Sequence, residues 1–155
     1  MALRHVLGAV AAERAVPPVL ARLAPRGPAV MFMAMNSAAK SVFAFGLYLV
    51  VVGLGLLVAP NPFLAPLGFP PVADSSWLRV LGVLTIVIAA YYLLAGRAGL
   101  TVFFRWTVSV RIGVFCALGA LVLLQLAPAP LALLGTVDLA AALWTALALR
   151  SSPVR

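Results

Sequence analysis

The sequence predicts an all-helical integral membrane protein, a four-helix bundle made of two in-out-in hairpins. Of its 155 residues, 65% are hydrophobic and only 9% are charged, whereas soluble domains carry about 25% charged residues. Apolar stretches of helix length recur four times, each close to the roughly 20 residues that a bilayer core requires. The basic residues, which give a net charge of +8, collect on one side of the predicted membrane, as the positive-inside rule describes.

Residues 1–34 form a basic N-terminal extension rich in proline and alanine, and two interpretations of it stay open. It is a short amphipathic helix on the membrane surface, since basic helix faces bind anionic lipid. Alternatively, the extension is not part of a folded protein: translation starts at Met31, Met33 or Met35, or the extension is translated but disordered. In either case residues 35–155 form the four-span membrane domain.

The first predicted span covers about residues 41–60. Val42 to Ala59 carries no charge and, at 1.5 Å per residue, is about 27 Å long as a helix. Pro60-Asn61-Pro62 ends the span, because proline removes a backbone donor and clashes with the preceding turn. The following connection, residues 61–76, is rich in proline and glycine and carries Asp74 as its one charge.

The other three predicted spans cover about residues 77–96, 102–126 and 131–149. The short connection Arg97 to Thr101 joins the second to the third. Ala127-Pro128-Ala129-Pro130 joins the third to the fourth. So short a turn makes the last two spans an antiparallel hairpin.

The positions of the basic residues predict the orientation in the membrane. The connections after the first and third spans contain no lysine or arginine, whereas the other side carries Lys40, Arg97, Arg105, Arg150 and Arg155. Positive charge marks the cytoplasmic side. We therefore expect both termini in the cytoplasm and a location in a bacterial inner (plasma) membrane.

Composition also excludes several function classes. The basic residues do not form the single clustered face that nucleic-acid binding requires, so we expect no nucleic-acid partner. Glu13, Asp74 and Asp138 are the only acids and lie far apart, which excludes paired-carboxylate catalysis. His5 and Cys116 are the only histidine and cysteine, which excludes a catalytic triad, an internal disulfide and a cysteine-based metal site. We predict no catalytic residue, no metal and no cofactor.

Three charged residues inside the spans are the candidate polar cluster: Asp138, Arg111 and Arg79. An aspartate at mid-membrane costs about 2.5–3.5 kcal/mol, and such residues normally face the bundle interior and find a partner. At 1.5 Å per residue, the backbones of Asp138 and Arg111 differ in depth by roughly 10 Å, a gap that arginine can largely close. Arg79 approaches Asp138 from the other side.

Two interpretations of this cluster are open. It lines a polar site for a ligand or a proton, or it is a buried ion pair that fixes helix register while the spare arginine reaches a headgroup. Small residues offer close-approach faces for helix packing, in the pairs Gly53 and Gly55, Gly113 and Ala117, and Ala141 and Thr145. Aromatic residues either anchor the spans at the interface or stack on a flat ligand, and these are Tyr91, Tyr92, Trp106 and Trp144.

Several short stretches carry a resemblance to known proteins. They are Phe45-Gly46-Leu47-Tyr48-Leu49, Ala59-Pro60-Asn61, Arg79-Val80-Leu81-Gly82, Phe104-Arg105-Trp106-Thr107, and Gly135-Thr136-Val137-Asp138 with Ala142-Leu143-Trp144-Thr145. Over Met35 to Arg150 the chain resembles small four-helix bacterial inner-membrane proteins of unknown function. More distantly, its architecture is similar to DoxX-like membrane proteins, some of which are linked to quinone-dependent redox chemistry. The nearer resemblance implies no activity.

Three function hypotheses follow. The first is a non-enzymatic accessory or interaction protein of the membrane. The second is a small oligomeric transporter or channel that uses the buried Asp–Arg site. The third is a quinone-associated redox component. We expect membrane lipids as partners, with a second copy of the chain or another membrane protein as a further partner.

Overall fold

The computed structural model describes residues 35–151. This part of the chain contains five α-helices. They are α1 (Ser37–Val58), α2 (Pro60–Leu64), α3 (Ser76–Ala98), α4 (Thr101–Leu123) and α5 (Leu131–Ser151). All but α2 are long and apolar enough to cross a membrane. The predicted all-helical fold with four spans is confirmed, and the protein is a multi-pass membrane protein. The extension 1–34 lies outside the described residues.

Helix α1 begins four residues before the predicted span because Asn36 caps it. The Asn36 side-chain oxygen accepts a hydrogen bond from the Ala39 N–H at 2.7 Å, which satisfies one of the free donors of the first turn. The helix ends at Val58, and Ala59 leaves the helical conformation (φ −142°, ψ 67°). Pro60 then starts α2 instead of a loop, since the first helical position needs no N–H.

Two tight turns connect the remaining helices. After α3, Gly99 takes a left-handed conformation (φ 66°), and the Leu100 N–H donates to the Ala95 carbonyl at 3.2 Å, which is the Schellman helix ending. Helix α4 ends at Leu123, three residues before the predicted boundary. There the left-handed residue is Gln125 (φ 58°), and the Leu126 N–H donates to the Leu121 carbonyl at 2.9 Å.

The four long helices pack as two hairpins. Helix α1 lies mainly against α3, and α4 mainly against α5, while the contact between α1 and α5 joins the two pairs. Gly53 and Gly82 let α1 and α3 approach closely, because a Cβ atom at Gly82 would lie 2.8 Å from the Gly53 carbonyl oxygen. Gly113 differs from the packing prediction: a Cβ atom there would meet nothing within 4 Å, and Ala117 is exposed.

The two ends of the bundle differ in character. The antiparallel topology brings Lys40, Arg97, Arg105 and Arg150 to one end, which we call the basic end. Segments 59–75 and 124–130 form the other, which we call the proline end. A buried hydrophobic cluster lies toward the basic end and consists of Ala38, Ala39, Val42, Phe45, Tyr92, Phe104 and Ala148.

Candidate functional site

Arg111 lies inside the bundle on the buried face of α4, with 1% of its surface exposed. Its guanidinium carbon is 3.7 Å from the centre of the Phe45 ring and 4.8 Å from that of Tyr92. Ring faces attract a cation, which compensates part of the cost of burying this charge. Nη1 donates to the Thr145 hydroxyl at 3.4 Å. In the described part of the chain, Nε and Nη2 have no hydrogen-bond partner.

Buried hydroxyl groups surround this guanidinium and connect all four spans. The Ser41 hydroxyl of α1 lies 3.0 Å from the Thr145 hydroxyl of α5. The hydroxyl groups of Tyr92 in α3 and Thr107 in α4 also share a hydrogen bond. Hydrogen bonds between helices stabilise bundles in a bilayer, where apolar contacts alone give little preference for association. The polar interior therefore holds the two hairpins together.

Asp138 is half-buried on α5, seven residues before Thr145 and so on the same face of that helix. It interacts electrostatically with Arg111 and with Tyr48. Among the described residues it makes no ion pair within 4.0 Å and no hydrogen bond. Arg111 and Asp138 thus offset each other in charge without direct contact, and both keep polar atoms for a third group. We call this pair the Arg111–Asp138 site.

Arg79 lies elsewhere and caps a helix. Its Nη1 donates to the carbonyl of Leu57 at 2.5 Å and to that of Val58 at 3.3 Å. Those carbonyls end α1, where a positive charge is favourable. Of the three residues in the predicted cluster, the structure brings together Arg111 and Asp138 and assigns Arg79 to the proline end.

The predicted aromatic residues divide into two groups. Tyr91, Trp106 and Trp144 are 62%, 67% and 51% exposed, whereas Tyr92 is only 9% exposed. The Tyr92 ring lies 5.2 Å from that of Phe45, measured between centroids. Successive residues on an α-helix point about 100° apart, and on α3 this rotation leaves Tyr91 exposed while Tyr92 points into the bundle.

Two neighbouring cavities lie along α1 and α5. The larger, of about 510 Å³, lies at the proline end. The smaller, of about 310 Å³, extends toward Ser41 and Trp144. Tyr48 and Val137 line both cavities and therefore mark their junction. We call the two together the α1–α5 groove.

The larger cavity has an almost wholly apolar lining. Of the eighteen residues that line it, Tyr48 alone has a polar side chain. Segment 59–75 contributes Phe63, Leu67 and Pro70, among others. The proline end therefore forms one wall of this cavity. The remaining wall comes mostly from α1, α3 and α5, as with Leu56, Leu78, Leu81, Leu131, Leu133 and Leu134.

Charge was the signal used to find candidate residues, and it missed Ser41, Tyr48 and Thr107. Helical spacing could have found them. Ser41 and Tyr48 are seven residues apart, so they share a face of α1. Thr107 stands four residues before Arg111 on α4 and shares its face.

Comparison with known proteins gives no match to a protein-family model, a curated protein or a solved structure.

Proposed function

We propose that this protein is a non-enzymatic accessory protein of the membrane that binds a lipid-soluble molecule with a long apolar chain in the α1–α5 groove. The larger cavity carries this proposal. Its volume of about 510 Å³ falls within the roughly 300–1,000 Å³ of small-molecule sites. In a multi-pass membrane protein, the molecules that reach such a cavity from the bilayer have acyl or isoprenoid chains.

The shape of the groove suits a chain rather than a compact ligand. It continues from the proline-end cavity past Tyr48 and Val137 to the smaller cavity beside Trp144. A lipid tail is as apolar as the groove, so moving it out of the bilayer brings no hydrophobic gain. Selectivity must then come from the fit of the chain and from polar contacts.

Native mass spectrometry of the purified protein in lipid nanodiscs tests the proposal. Val137→Trp places a large ring at the junction of the two cavities and should remove most of the bound molecule. Val87→Trp is the matched control, since Val87 is 46% exposed on α3 and does not line the groove. Equal occupancy in the two variants, or no bound molecule in the wild type, would refute the proposal.

The chemical identity of the bound molecule decides between the accessory protein and the quinone-associated redox component. Extraction of the bound molecule and its mass spectrum distinguish a phospholipid or other acyl lipid from an isoprenoid quinone. A quinone would favour the redox component to which the DoxX-like resemblance points. An acyl lipid would favour the accessory protein.

Proton-coupled transport is the second candidate, and the Arg111–Asp138 site favours it. Ionisable residues inside a membrane commonly mark ion pathways, and two side-chain nitrogens of Arg111 have no hydrogen-bond partner among the described residues. We expect Asp138→Asn to abolish proton flux into reconstituted vesicles, read with an internal pH-sensitive dye. Unchanged flux in the variant, or no flux in the wild type, would exclude this candidate.

The location and orientation are also proposals: a bacterial inner membrane, with the basic end in the cytoplasm. The charge distribution between the two ends supports this orientation. In a Cys116→Ser background, a membrane-impermeant thiol reagent should label Ala73→Cys in spheroplasts. It should label Ala98→Cys only after permeabilisation, and the reverse pattern would invert the topology.

A further inference from the structure

We infer that the α1–α5 groove selects a ligand with a hydroxyl group, which bridges Tyr48 and Asp138 while its apolar chain fills the larger cavity. This inference rests on the proposed function and narrows it to a class of ligand, a long-chain alcohol or phenol. It depends on three observations: the position of Tyr48, the carboxylate of Asp138, which accepts no hydrogen bond from the described residues, and the buried charge of Arg111.

Tyr48 is placed to hold the polar end of a ligand. It lines both cavities and supplies the one polar side chain of the larger lining. Its ring packs against that of Phe45 one turn earlier on α1, with the ring centroids 5.5 Å apart. Among the described residues that hydroxyl makes no hydrogen bond, so it can donate one to a ligand oxygen.

Asp138 supplies the complementary acceptor. An ionised carboxylate only accepts hydrogen bonds, and Asp138 receives none from the described residues. Ser41 and Thr145 meet across α1 and α5, with their hydroxyl oxygens 3.0 Å apart. These two helices run antiparallel, and Tyr48 and Asp138 each lie seven residues farther toward the proline end, so they stand on the facing sides of α1 and α5. A hydroxyl group is both donor and acceptor, so one O–H can donate to Asp138 and accept from Tyr48.

The local charge argues against an anionic headgroup. The guanidinium of Arg111 packs on the Phe45 ring and donates a hydrogen bond to Thr145. Its charge also interacts with Asp138, so it is already partly compensated. A fatty carboxylate or a phosphate held at Tyr48 would approach the carboxylate of Asp138, the residue after Val137 of the junction, and like charges at short range repel. An uncharged hydroxyl avoids this repulsion.

Three probes of nearly equal length separate the contributions of chain, acceptor and donor: heptadecane, 1-methoxyhexadecane and 1-hexadecanol. Each is incorporated at equal mole fraction into nanodiscs that contain the full chain, and its occupancy is measured by native mass spectrometry. We expect the affinity for the alcohol to exceed that for the alkane by about tenfold or more, because hydrogen bonds to charged groups are strong. The ether accepts but cannot donate, so its affinity should lie between the two.

Tyr48→Phe removes one hydroxyl and keeps the ring, so the fold should be retained. In this variant and in Asp138→Asn, the preference for alcohol over alkane should fall to about threefold or less. Tyr91→Phe is the control, because Tyr91 is exposed on α3 and does not line the groove. It should keep the full preference.

The possible failures are distinguishable. If no probe binds the wild type, the proposed function itself fails. The inference fails alone if alcohol and alkane bind equally well, if the ether matches the alcohol, or if Tyr48→Phe keeps the full preference.

Discussion

At the scale of single residues, Arg111 is the largest fully buried side chain in residues 35–151. Its charge is buried at 1% exposure and is stabilised by two rings, one hydroxyl and the more distant Asp138. Removing one member of a buried charge pair is costly because the other charge stays uncompensated, whereas replacing both by apolar groups can be nearly neutral.

We therefore expect Arg111→Met to destabilise the protein by about 3 kcal/mol, measured by reversible unfolding in mixed detergent micelles. Arg111→Met combined with Asp138→Leu should recover much of that loss. Arg105→Met changes an exposed arginine of the same helix and serves as the control. A double variant as unstable as Arg111→Met alone would mean that the two charges do not compensate each other.

Asp74 gives a prediction about pH. Its carboxylate accepts hydrogen bonds from the Ser76 hydroxyl at 2.6 Å and the Ser76 N–H at 2.9 Å, and these bonds hold the pKa of Asp74 below its usual range. A lowered pKa in the folded state means that the stabilisation is complete above the pKa of the unfolded chain. It is lost as the pH falls through the folded value.

Amide hydrogen exchange at the start of α3 should therefore accelerate as the pH falls below about 4, after correction for the intrinsic exchange rate. Asp74→Asn keeps an acceptor oxygen but does not titrate, so this acceleration should disappear in the variant. The same acceleration in both proteins would show that another group is responsible.

At the scale of elements, the contact between α1 and α3 depends on two glycines. A Cβ atom at Gly82 would lie 2.8 Å from the carbonyl oxygen of Gly53 and 2.8 Å from the amide nitrogen of Leu57. Both are backbone atoms, so they can yield only if the two helices separate.

We expect Gly82→Ala to destabilise the protein by about 2 kcal/mol through this overpacking. Gly113→Ala is the matched control, because it also lies in the interior of a span but its Cβ atom would meet nothing within 4 Å. The control should be neutral or slightly stabilising, since alanine favours helix by about 1 kcal/mol over glycine. Equal unfolding free energies for the two variants would contradict the close approach.

The presence and approximate position of each membrane-spanning helix could be predicted from the sequence. The exact helix ends, and which face of each helix contacts a neighbour, could not. Length and hydropathy locate each span to within about a turn, because the bilayer thickness fixes how many apolar residues are needed. The proline segment misleads, since Pro60 both ends α1 and starts α2. Gly53 and Gly113 look alike in sequence, yet one meets a neighbouring helix and the other does not.

At the scale of the whole molecule, the two hairpins are joined chiefly between α1 and α5. Ser41 and Thr145 lie at this junction, with their hydroxyl oxygens 3.0 Å apart. The sequence indicated that Asp138 and Arg111 belong to one interior. It could not indicate which helices meet, because four spans with short connections allow several arrangements around the same charges.

In a Cys116→Ser background, the pair Ser41→Cys and Thr145→Cys should form a disulfide on oxidation, because each sulfur would replace one of two hydroxyl oxygens that lie 3.0 Å apart, and a disulfide bond is about 2 Å long. Proteolysis in the connection between α3 and α4 would then leave the hairpins covalently linked on a denaturing gel. The pair Leu47→Cys and Thr145→Cys is the control, because Leu47 is also on α1 but is 49% exposed. Separate hairpins after oxidation of the first pair would contradict the packing of α1 on α5.

Cys116, the single cysteine of the chain, is exposed on α4, three residues beyond the uncovered Gly113. The natural protein thus carries one thiol suited to a spin label on a bilayer-facing helix surface. Paramagnetic relaxation by oxygen, which concentrates in the hydrocarbon, and by a water-soluble nickel complex would give the immersion depth of α4. That depth would position the whole bundle in the membrane without any change to its sequence.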